Sequence, residues 1–164
     1  MSDTATDYHP WSTFLAARAE ADRIGAHQIG TDLLLIALLR EPEVAEVVGI
    51  TPQQARESLD ALDREALVAF GYRDTPAPQR YVERPIPARP SIRVVVKNRL
   101  KMSPNAKRAL EQTRQGPRRR PSYAALRAVS ALLENAEPDP AAVLLGSMGV
   151  DRAQLRSRLE ERIG

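Results

Sequence analysis

A chain of 164 residues with 43% hydrophobic but only 4% aromatic content has the length for one core and must fill it with aliphatic side chains. Its Ala and Leu favour closely packed helices. The absence of cysteine excludes disulfides, thiolate metal sites and thiol nucleophiles, and two histidines, His9 and His27, are too few for an all-histidine metal site. The net charge of +3 hides a segregation: twelve basic residues and one acid, Glu111, lie between Arg84 and Arg120. A basic middle between acidic ends can attract nucleic acid, an acidic partner or the chain's own ends.

The start, MSDTATDYHPW, carries no basic region followed by an apolar one, so no secretory signal is expected. Pro10 to about Ile24 reads as a helix, with Asp7 or Ser12 as caps. Trp11, Phe14, Leu15, Ala21 and Ile24 form its apolar side, and Arg18, Glu20, Asp22 and Arg23 fall mainly on the wet side. Gly25 ends it. Thr31 is expected to cap a second helix, Asp32 to about Arg40, which is apolar nearly all round and so central and buried. Its seven-residue apolar run, Leu33 to Leu39, is too short to span a bilayer; the protein is expected to be cytoplasmic. Glu43–Val48 follows as a short helix ending at Gly49. Thr51-Pro52 then opens a fourth helix through about Phe70, with a possible break near Asp60–Asp63.

Five prolines between Pro76 and Pro90 mark an extended linker. Ser91–Val96 (SIRVVV) is rich in β-branched residues and suits a strand or an extended arm laid on the helices. Ser103-Pro104 repeats the cap-and-proline signal for a helix to about Gln115. A loop containing Arg118, Arg119 and Arg120 comes next, and Ser122 is expected to cap a helix to about Asn135. Ala141–Met148 and a last helix from Asp151 through Ile163 complete the chain.

The order repeats. Each half runs helix, loop, small hydroxyl residue, apolar helix, proline and short helix. Gly49-Ile50-Thr51 with PQQARESL then answers Gly149-Val150-Asp151 with RAQLRSRL. The expected fold is all-α, a pseudo-symmetric duplicated four-helix repeat in one domain. Repeat one covers about 7–73, a Pro/Arg-rich linker about 74–101, and repeat two about 102–164.

The segment Ala17-Arg18-Ala19-Glu20-Ala21-Asp22-Arg23-Ile24-Gly25 and the run Ile29-Gly30-Thr31-Asp32-Leu33-Leu34-Leu35-Ile36-Ala37-Leu38-Leu39 resemble the amino-terminal repeat of the Clp unfoldases. Ser103-Pro104-Asn105-Ala106-Lys107-Arg108-Ala109-Leu110 is similar to the F-T-P-R-A-K-x-x-L that opens that family's second repeat. The resemblance reaches most of the chain outside the tail and linker. It departs where the family's histidines are Ala26 and Leu33, where its glutamate is the shorter Asp32, and where GPRRRPSY replaces the second loop motif.

The resemblance implies a standalone, actinobacterial-type docking domain without the ATPase, a non-catalytic protein- or peptide-binding module. In Clp unfoldases this domain receives adaptors and substrates, in some cases phosphorylated arginines, and in actinobacteria cyclic peptide antibiotics. A standalone copy would act as adaptor, decoy or sequestering protein, with Clp components, their substrates or such an antibiotic as partner. Candidate ligand contacts are Thr31 and Asp32, with Ser103, Ser122 and Tyr123 in the second repeat; the plain alternative is that Thr31 and Asp32 only cap a helix and complement its dipole. The chain shows no G-x-x-x-x-G-K-[ST] phosphate loop and no Ser/His/Asp arrangement. No enzyme activity, cofactor, metal or membrane partner is therefore expected. The competing function is a nucleic-acid-binding regulator using the basic 84–120 segment, with Arg118, Arg119 and Arg120 as its contact loop.

Overall fold

A computed structural model describes residues 10–72, 101–114 and 121–164. Among them the chain forms eight helices and one two-stranded bridge. The first run holds α1 (Pro10–Ile24), β1 (Gln28–Ile29), α2 (Thr31–Leu38), α3 (Pro42–Val48) and α4 (Pro52–Ala69). The remainder holds β2 (Lys101–Met102), α5 (Pro104–Gln112), α6 (Pro121–Leu133), α7 (Pro140–Ser147) and α8 (Arg152–Ile163). β1 and β2 pair in parallel, Gln28 with Lys101 and Ile29 with Met102. Asp7, Ser91–Val96, most of the proline linker and the Arg118–Arg120 loop lie outside the described residues.

Helix starts follow the local chemistry. Proline opens α3, α4, α5 and α7, where its missing N–H would have had no helical partner. Thr51 and Gln54 form a reciprocal capping box on α4. Ser103 accepts from the Ala106 N–H at 3.3 Å, and Asp151 accepts from the amides of Ala153 and Gln154. Gly49 closes α3 at φ 78°, a left-handed conformation in which a side chain would be strained.

α2 is the centre of the core. Leu33 through Leu39 are all between 0 and 3% exposed, and α2 packs against α1, α4, α5, α6 and α7. In the later part of the chain α6 packs on α3, α5, α7 and α8 as well as on α2. Its Leu126, Val129, Leu132 and Leu133 are buried. No helix among the described residues is long and apolar enough to cross a membrane.

Four local expectations are corrected. The N-cap of α2 is Gly30, with no side-chain cap, and Thr31 is the first helical residue; its hydroxyl is drawn into a tertiary contact instead. Ser122 lies inside the first turn of α6, which begins at Pro121, where proline's fixed φ already suits a helix. α4 runs unbroken through Asp60–Asp63, because that stretch contains neither glycine nor proline and is rich in good helix formers. Glu20 and Arg23 are not on a wet face: Glu20 is 0% exposed and the Arg23 side chain only 10%, because both meet α4.

Candidate functional site

The bridge between β1 and β2 sets the geometry of an apolar groove beside α1. Ile29 is fully buried, and its carbonyl accepts from the Ser103 N–H at 2.9 Å. Ser103 also caps α5, so one residue both ends the bridge and aims the helix beside α1.

Between the two helices lies a groove of about 360 Å³ lined by Pro10, Trp11, Phe14, Met102, Lys107, Leu110, Glu111 and Arg114. Trp11 and Phe14, three positions apart on α1, meet edge to face with ring centroids 5.8 Å apart and planes at 87°, the arrangement ring quadrupoles favour. Lys107, Leu110, Glu111 and Arg114 follow the i, i+3, i+4, i+7 spacing of one helix face. The floor is thus aromatic and aliphatic, and the exposed Lys107 and Arg114 stand with Glu111 at its edge. Such a lining is of the kind that suits an apolar side chain, with charges of both signs at its rim. None of these groups makes a nucleophile–base pair.

The residues expected to touch ligand sit mostly elsewhere. Thr31 donates from Oγ1 to Asp139 Oδ1 at 2.7 Å and accepts from the Ala141 N–H at 3.1 Å. Asp139, the N-cap of α7, also accepts from Ala141 N at 3.1 Å and from Asn105 Nδ2 at 3.1 Å. Thr31 is therefore held in a knot joining α2, α5 and the start of α7. Asp32 folds its carboxylate back over Gly30, into the space that a Cβ at position 30 would need. Burial holds its carboxyl above the ordinary range, with Asp63 and Asp139 adding to the effect against backbone hydrogen bonds that oppose it.

Ser103 is a cap and a bridge end. Tyr123 donates to the Ile163 carbonyl at 2.9 Å and ties α6 to the end of α8. Ser122 is half-buried in the first turn of α6. The structure thus places the five candidates at helix starts and ties, while the groove collects Trp11, Phe14, Met102, Lys107, Leu110 and Arg114. The stripe on α5 was readable from its spacing. Its apposition to α1 depends on the bridge, which the sequence marks only by Ile29 and Ser103.

A second polar cluster braces α1 against α4. Arg56 donates to Glu20 Oε1 from Nε at 2.9 Å and from Nη2 at 2.6 Å. Arg23 contacts Glu20 Oε2 at 3.2 Å and Asp60 Oδ1 at 2.9 Å. The charges compensate one another, as burial requires. Among the described residues no group of three or more His, Cys, Asp or Glu side chains is placed to hold a metal ion.

Neither a protein-family model nor a curated protein matches the chain.

Proposed function

We propose that the protein is a non-catalytic docking module of the Clp amino-terminal kind, acting in the cytoplasm as adaptor, decoy or sequestering protein, and that the α1–α5 groove receives an apolar peptide segment. The observation that carries this reading is the groove itself, an aromatic and aliphatic floor with Lys107 and Arg114 at its edge. The motif resemblance narrows the expected partners to Clp components, their substrates or a cyclic peptide antibiotic.

The duplicated architecture belongs to the same proposal, and the packing supports it. The pair α1–α2 has a counterpart in α5–α6, α2–α4 in α6–α8, α2–α7 in α6–α3, and α4–α7 in α8–α3. Gly49 at φ 78° and Gly149 at φ 69° open equivalent connections into α4 and α8, and Leu59 and Leu159 are buried at equivalent places.

Trp11 is the single tryptophan and lines the groove, so its emission reports occupancy. Titration with a hydrophobic cyclic peptide antibiotic, and with unfolded casein as a linear probe, is expected to shift that emission saturably. Leu110→Asp should abolish the shift. Binding that survives Leu110→Asp but is lost in Asp32→Ala would move the site to the start of α2. A pull-down with a Clp unfoldase tests the partner. Generic duplex DNA bound with a steep salt dependence, without any peptide response, would instead favour the nucleic-acid reading, to which the exposed Lys101, Lys107, Arg108 and Arg114 contribute.

A further inference from the structure

The last buried residue of α4 is Leu59, yet the helix continues to Ala69, a further length of about 15 Å at the helical rise. From Arg64 to Tyr72 every residue is exposed. This projecting end carries Leu67, Val68, Phe70 at 83% and Tyr72 at 65% exposure. Scattered apolar side chains on a surface are ordinary, but four large ones within six positions at a helix end are a concentration of exposed apolar surface of the kind found at interaction sites. Asp63 and Glu65 flank it on the same helix, with Arg64 between them.

The complement to this knob is present in the same chain. The α1–α5 groove is apolar within and has Lys107 and Arg114 at its edge, with Lys101 and Arg108 exposed on the same unit. A tip of aromatic and branched side chains matches it in polarity; Asp63, Arg64 and Glu65 leave the tip side acidic by one charge, and Lys107 and Arg114 outweigh Glu111 in the groove.

The two features cannot meet within one molecule. Glu20 pairs with Arg56 and Arg23 with Asp60, so α1 and α4 run in the same general direction where they touch. From that contact the groove lies back along α1 by about 18 Å, and the tip lies forward along α4 by about 15 Å. Knob and groove are thus separated along the axes of α1 and α4.

We infer that the α4 tip of one copy seats in the α1–α5 groove of a second copy, a head-to-tail contact between unlike surfaces. Such a contact leaves a free tip and a free groove at the ends and so extends into a ring or chain of copies. The inference rests on the groove being a docking site for apolar segments. It adds that the protein's own helix end competes for it, so peptide binding and self-association exclude each other.

Sedimentation velocity of the full chain across a wide concentration range tests this. The wild type is expected to show concentration-dependent assembly. Phe70→Asp, at a fully solvated position, should weaken it more than about tenfold, as loss of an aromatic anchor does. Lys107→Glu with Arg114→Glu, two exposed side chains, should also suppress it. Mixed together, the tip variant and the groove variant should form a one-to-one dimer and nothing larger, because one intact tip and one intact groove remain between them.

A wild type that stays monomeric throughout overturns the inference. So does assembly that Phe70→Asp leaves intact, and so does a groove variant that still assembles alone, which would mean tip-to-tip pairing. A failed mixture does the same. Peptide binding to a monomeric wild type overturns only self-association and leaves the docking reading standing; assembly of a chain that binds no peptide does the reverse.

Discussion

Glu20 lies next to Ala21 on α1, and helical spacing alone turns it toward water. The fold turns it toward α4, where Arg56 and Arg23 hold both of its oxygens. Removing it in Glu20→Ala takes the Glu20 carboxylate from the buried Arg56 guanidinium, a loss of up to about 3–5 kcal/mol. Urea denaturation should show the midpoint falling accordingly, with a smaller loss in Glu20→Gln, which keeps the shape and one acceptor. Asp32 behaves oppositely. Burial raises its carboxyl above the ordinary 3.8, so the native state holds the proton more tightly than the unfolded chain. Stability therefore falls as pH rises from below 3.8 through the raised value. Asp32→Asn should stabilise the protein at neutral pH, and the gain should vanish in melts carried out below pH 3.8.

At the scale of elements, the starts and stops of helices were the most legible part of the sequence. Thr51-Pro52, Ser103-Pro104 and Asp151 act through short-range hydrogen bonds that depend on neighbours within three positions. Thr51→Ala should remove one half of the capping box and cost about 1 kcal/mol, measured as a drop in melting temperature. The first turns of α2 and α6 depart from the cap pattern because Thr31 and Ser122 have the cap chemistry but not the cap position. Arginines on two different helices are put to different uses. Arg56 of α4 neutralises a buried carboxylate of α1, whereas Arg156 of α8 donates to the Leu133 carbonyl at 3.3 Å beside Arg152, which donates there at 2.7 Å. Helix ends that lack their own partners are thus closed by side chains from another helix.

For the molecule as a whole, the all-α architecture and the central place of α2 were readable, since an apolar run around the full helix circumference has nowhere else to go. The groove was not, because its walls belong to α1 and α5, which are far apart in sequence. Thr31 shows the same limit: its partner Asp139 comes from the other end of the chain. Thr31→Val keeps the shape but withdraws a donor from Asp139 and an acceptor from the Ala141 N–H. The expected cost is about 1–3 kcal/mol, seen as a lower denaturant midpoint with an unchanged slope. A change of slope would mean that the unfolded or native ensemble had altered instead.

The Ser103 amide, hydrogen-bonded to the Ile29 carbonyl, has a consequence in time. Its proton can exchange with solvent only when the segment carrying α5 lifts from the segment carrying α2, so it acts as a clock for their separation. In deuterium exchange it should be among the slowest amides outside the helix interiors. Filling the groove beside it should slow it further.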